Sequence, residues 1–189
     1  MTITKGLIMN KLLPVIMSAV VLSGLSSSAL ASDGTITFNG KLTDTSCKIS
    51  INGGGASQTI TLPTLSVAAL STPGVTAGAT PFSIVLSDCT GSAQTSASTF
   101  FEMGANVDTN SGRLNNVAPA PDAATNVQVE LLNKNGKPIR AGAAIEQGDV
   151  WTEYNAKSTK MDYFAQYYAI GTATAGNVST SVTYSIAYK

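Results

Sequence analysis

Histidine is absent from the 189 residues. That removes the commonest general base, the commonest metal ligand and every Ser–His or Cys–His nucleophile pair. Charge is scarce as well: 12% of residues are ionic, eleven basic against eleven acidic. No basic stripe is present, so nucleic acid is not an expected partner. Cysteine occurs twice, at Cys47 and Cys89, without a CxxC pair or metal-type neighbours. The glycine-rich stretch "NGGGAS" (residues 52–57) lacks the Lys-Ser/Thr of a phosphate loop and reads as a turn. Glu146, Asp149 and Glu153 lie near the single Trp151. They are read as a solvated loop with one anchoring aromatic, against paired carboxylates or a sugar platform. No catalytic, cofactor or metal site and no small-molecule substrate is expected.

Long apolar runs are missing too, with one exception near the start. Lys5 and Lys11 precede the apolar stretch "LLPVIMSAVVLSGL", and small residues lead to Ala29-Leu30-Ala31. A basic start, a short apolar core and an A-x-A site describe a Sec signal peptide over residues 1–31, cut after Ala31. The competing reading is a membrane anchor, but the 14-residue run falls short of a span, which needs about 20. Met9 is a second candidate start and leaves the cleavage site unchanged. In the exported chain, nine basic residues face eleven acidic ones. An exported chain with two cysteines points to one disulfide, Cys47–Cys89, against two buried free thiols. Closing that loop contributes roughly 4 kcal/mol on the chain-entropy model.

What the sequence does have is short runs of period-two alternation separated by Gly, Pro and Asn clusters. "GTITFNGKL" sets Gly34, Ile36, Phe38, Gly40 and Leu42 against polar residues. "CKISI" puts Cys47, Ile49 and Ile51 on one face, and "QTITL" does so with Ile60 and Leu62. "PFSIVLSDC" aligns Phe82, Ile84 and Leu86. "STFFEM" is a short strand, and "NVQVELLNKNGKPI" aligns Val127, Val129 and Leu131 before a turn and a return strand at Ile139. In "DYFAQYYAIG" the aromatics are assigned to core and edge packing. Helix signals are weak; "LSVAAL" allows a turn or two. About ten short strands predict an all-β fold, an immunoglobulin-type sandwich with a barrel as the structural alternative.

The two ends of the exported chain both read as strands with one apolar face. At the C-terminal end, Val178, Thr180, Val182, Tyr184, Ile186 and Tyr188 alternate with small residues up to Lys189. Such strands are pairing hazards unless covered. Either both lie inside one closed sandwich, or one end pairs with another chain by strand addition.

Here the residues resemble a known family. Gly176 is fourteenth from the C-terminal end, Tyr188 is penultimate, and apolar residues alternate between them. "GTITFNG", "PFSIVLSDC", "VQVELLNKNGKPI" and "YFAQYYAIGTATAG" occur in order. The chain is similar to the subunits of chaperone–usher fimbriae of the type 1 and P pilus kind, major or minor. The resemblance implies an incomplete immunoglobulin-like β-sandwich: six strands, plus an N-terminal donor strand. It implies a donor-strand extension over residues 32–43 and a pilin domain over residues 44–189. Gly34, Ile36, Phe38, Gly40 and Leu42 would insert into a neighbour, Gly40 at a shallow position. Gly176, Val178, Val182, Tyr184, Ile186 and Tyr188 would line the groove for a periplasmic chaperone or the next donor strand, and the Lys189 carboxylate would anchor to the chaperone. The implied partners are that chaperone, an outer-membrane usher and neighbouring pilins, head to tail, in a surface filament used in adhesion and exported through the periplasm. The alternative class is a self-contained secreted β-sandwich binding a ligand such as a carbohydrate.

Overall fold

The computed structural model describes residues 34–91, 95–143, 147–153 and 158–189. The expected signal peptide and Glu146 lie outside these. The chain divides into two units, Met1–Gly40 and Lys41–Lys189. In the first, residues 34–40 form neither helix nor strand. The larger unit is built of β-strands and one short 3-10 helix, Val67–Leu70, capped by Ser66.

The strands are β1 (Ser46–Ile51), β2 (Thr76–Thr90), β3 (Ser96–Phe101), β4 (Leu114–Asn115), β5 (Val127–Asn133), β6 (Pro138–Ile139), β7 (Thr152–Glu153), β8 (Thr159–Ala169) and β9 (Tyr184–Tyr188). Three of them, β4, β6 and β7, are two-residue fragments, leaving six substantial strands among the described residues. They form two antiparallel sheets. The larger runs β1-β2-β8-β5-β4, with β6 also paired to β5; the smaller runs β7-β3-β9. This is a sandwich and not a closed barrel.

The alternating residues explain the layering. Ile84 and Leu86 of β2, Val129 and Leu131 of β5, and Met161, Tyr163 and Ala165 of β8 bury their side chains in one core with Ala97 and Phe101 of β3. Tyr163 stacks on Phe82 and meets Phe101 edge-on, with centroids 5.4 and 5.5 Å apart. Cys47 and Cys89 are bonded, tying β1 to β2 within the larger sheet. Gly136, at positive φ, closes the turn that returns β5 onto β6.

Two runs expected as strands are not strands, and the expected terminal strand is one only from Tyr184. Residues 34–45, including the whole alternating N-terminal run, have no strand pairing. Ile36, Phe38 and Leu42 stand 80%, 89% and 99% exposed. Residues 58–62 are also outside any strand, although Ile60 and Leu62 pack on the core. The reason is the same in both cases: alternation supplies a face, but a strand also needs a backbone partner.

Candidate functional site: an open sheet edge over an apolar cleft

The final segment begins at a tight crossing. A Cβ on Gly176 would stand 2.4 Å from the Ala124 nitrogen and 2.6 Å from the Ala123 carbonyl carbon, so glycine alone permits this approach. The chain then runs extended alongside residues 102–124. Asn177 N–H donates to Asp122 O at 2.6 Å, Ser179 N–H to Asn116 Oδ1 at 2.9 Å, and Glu102 N–H to Thr183 O at 2.9 Å. From Tyr184 the ladder with β3 is regular, and Lys189 closes it: its N–H donates to Ser96 O at 3.0 Å, while its own O accepts from Thr95 and Ser96. The Lys189 ammonium sits 4.4 Å from the centroid of the Trp151 ring.

All those backbone bonds are made by odd-numbered residues. In an extended chain successive N–H and C=O groups point to opposite sides. The groups of Val178, Thr180 and Val182 therefore point away from the 102–124 side, and among the described residues none meets them. In β9 Tyr184 and Ile186 likewise turn away from β3, and β9 ends its sheet. The row of outward backbone groups is an unpaired edge.

The same even residues carry the apolar side chains. Val178, Val182, Tyr184, Ile186 and Tyr188 are half-buried and pack against the main core. Beside them lies a cleft of about 500 Å³ whose far rim is residues 58–62. Phe82, Leu114, Val129, Leu131, Ala165 and Tyr167, all from the larger sheet, form its floor. A second cavity of about 520 Å³ continues it past Tyr167 and Val178, between Leu65, Val67 and Leu70 on one side and residues 173–178, Gly176 included, on the other. A five-strand path thus faces a three-strand sheet, and the uncovered strip is this cleft. The backbone of residues 58–62 has no hydrogen-bond partner among the described residues. Burial of the phenols raises the pKa of Tyr167 and Tyr184, as an apolar cleft requires. The Tyr184 hydroxyl donates to Ala56 O at 2.8 Å and ties the two rims together there.

The residues predicted for the groove, Gly176 through Lys189, lie on one continuous segment. Those predicted for the donor strand lie in the exposed run described above. At the opposite edge of the small sheet Asp149 lies in a half-exposed loop, but its side chain is not left to solvent: its Oδ2 accepts from Ser98 Oγ, Thr99 N–H and Tyr163 Oη, each at 2.9 Å. Gln147, 7% exposed, brackets Phe101, its Oε1 accepting the N–H at 2.9 Å and its Nε2 donating to the carbonyl at 2.5 Å. Burial, then the Asp149 charge, push the Tyr163 phenol well above its ordinary pKa. Trp151, expected as an anchoring aromatic, is exposed.

An immunoglobulin-like sandwich with an apolar strip beside a terminal segment that is paired on one side is the architecture of a pilin. A chaperone–usher pilus structure aligns with 84% of this chain and 96% of its own subunit at a TM-score of 0.58 and 20% identity, which bears on the fold. The model of the type-1 fimbrial protein A family matches residues 62–189, and the chain belongs to that family. It is 45% identical over 173 residues to the major fimbrial subunit SMF-1 of Stenotrophomonas maltophilia, covering 89% of this chain and 99% of that one. It is 43% identical over 175 residues to the F17 fimbrial protein of Escherichia coli, covering 89% and 95%. The chain is a structural fimbrial subunit, and a self-contained ligand-binding sandwich is not favoured.

Proposed function

We propose that this subunit polymerises head to tail by donor-strand exchange, the extension of one copy filling the cleft of the next. The open edge at Val178, Thr180 and Val182 carries the reading, because it offers backbone groups and an apolar floor together. The extension supplies the complement: Ile36, Phe38 and Leu42 alternate with polar residues and stand exposed, and Gly34 and Gly40 keep the same face low. Burying each large side chain is worth roughly 1.5–3 kcal/mol, and each added backbone bond about 1 kcal/mol net. An antiparallel arrangement beside the terminal segment is the more stable pairing.

On this reading residues 1–31 are a signal peptide, residues 32–43 the donor extension and residues 44–189 the pilin domain. A periplasmic chaperone occupies the cleft first, with the Lys189 carboxylate as an anchor. An outer-membrane usher then exchanges it for the next subunit's extension, giving an adhesive surface filament. The role is structural and involves no catalysis.

The test is removal of residues 32–41. The truncated subunit is expected to remain bound by its chaperone and to be missing from fibres in electron micrographs. Normal fibres built from it would refute the proposal. In wild-type fibres the amides of Val178, Thr180 and Val182 are expected to be protected from hydrogen exchange.

A further inference from the structure

A three-stranded sheet has two outer edges, and only one is offered for strand addition. The other is the outer edge of β3. Its even residues pair with β9, so Ala97, Thr99 and Phe101 direct their backbone groups outward. Ala97 faces the short β7, which pairs only Ser96 and Ala97. Beyond that, strand pairing stops, and Thr99 and Phe101 would present the same template that the terminal segment presents. They do not, because side chains stand where a strand would. The Asp149 carboxylate takes the Thr99 N–H, and the Gln147 carboxamide takes both the N–H and the carbonyl of Phe101. A primary amide sets an N–H donor beside a C=O acceptor in one plane, so on Phe101 Gln147 mimics one residue of a neighbouring strand. Gly142 N–H also donates to Phe101 O at 2.9 Å.

We propose that Gln147 and Asp149 are specificity-determining residues for assembly: by occupying the outer edge of β3 they confine strand addition to the β9 edge, one donor per subunit. Neither residue touches the cleft. They act by removing a competing site, so their loss adds a binding event and does not merely weaken the fold. The inference rests on the donor-strand reading above.

The experiment uses assembled fibres, in which the cleft is already filled. A synthetic peptide copying residues 32–43, carrying a photo-cross-linker, is offered to wild-type fibres and to fibres of the double variant Q147A/D149A. Gln147→Met, which keeps the side-chain length and removes both hydrogen-bonding groups, is the milder variant. Wild-type fibres are expected to take up no peptide; variant fibres are expected to bind about one per subunit, cross-linked near Thr99 and Phe101. The Phe101 amide is expected to exchange about tenfold faster in Q147M fibres without peptide. Variant fibres that bind no peptide there would overturn the inference. Where a variant forms no fibre, its aggregates are cross-linked instead; contacts through residues 99–101 support the inference, and contacts through residues 178–188 alone overturn it. Protection of Val178, Thr180 and Val182 in wild-type fibres reports separately on donor-strand exchange.

Discussion

Along β3, outward backbone groups meet the side chains of Asp149 and Gln147; along the terminal segment, the corresponding groups of Val178, Thr180 and Val182 meet nothing among the described residues. Both edges belong to one layer and flank one core. The closed edge is finished with polar side chains whose hydrogen bonds are short and buried or part-buried. The open edge is finished with valines and tyrosines over a cleft. An unpaired edge is ordinarily a hazard that proteins blunt with charge, proline or cover. Here one edge is blunted and the other is kept bare and apolar, so the bareness is selective.

The contrast can be broken most severely by Thr180→Pro. The Thr180 N–H has no partner among the described residues, whereas the neighbouring Ser179 N–H is taken by Asn116. A proline ring at position 180 would project into the vacant side and remove a donor needed only on assembly. Fibre yield is expected to fall by at least about tenfold, while the subunit itself loses no more than about 1 kcal/mol. Electron microscopy of fibres and chemical denaturation of the isolated subunit read the two effects; unchanged fibres would erase the distinction between the edges.

Tyr163→Phe probes the closed edge. It deletes a hydroxyl that contacts both Asp149 and Thr99 in a residue 1% exposed. The expected cost at neutral pH is about 1–2 kcal/mol by denaturation. The pH dependence has a definite sign. The folded phenol holds its proton more tightly than the unfolded one, because burial and the Asp149 charge both disfavour phenolate. Stability is therefore full below the ordinary tyrosine value of about 10 and declines as pH rises above it. The phenylalanine variant should lose that part of the alkaline decline.

The smallest effect sharpens the comparison from the open side. Thr180 Oγ1 is buried without a hydrogen-bond partner among the described residues, a situation that costs roughly 1–3 kcal/mol. Thr180→Val replaces the hydroxyl by a methyl of similar size, matching Val178 and Val182. The subunit is expected to gain about 1 kcal/mol, with fibres retained; a loss of stability would mean the hydroxyl is satisfied after all.

Period-two alternation located the core faces of β1, β2, β5 and β8 and the side-chain order from Val178 to Tyr188, because burial on one face leaves a mark at every second residue. It overstated residues 34–42 and 58–62, where the pattern is present and no strand forms. Alternation reports what a strand would bury and is silent on what it pairs with. The vacancy itself was legible only through the family resemblance. Asp149 and Gln147 were missed for a related reason: a side chain standing in for a strand leaves no periodic trace. The one hint was their spacing of two, which puts both on the same side of an extended segment.

The disulfide gives the fibre reading a mechanical corollary. Leu42, the last apolar residue of the extension, is five positions before Cys47, and Cys47 is bonded to Cys89 at the end of β2. Tension arriving through the extension would reach the domain at β1, a border strand of its sheet that hydrogen bonds alone could release one rung at a time. The covalent link passes that pull at once to β2, which is paired on both sides, so under traction the anchorage would outlast the zipper beside it.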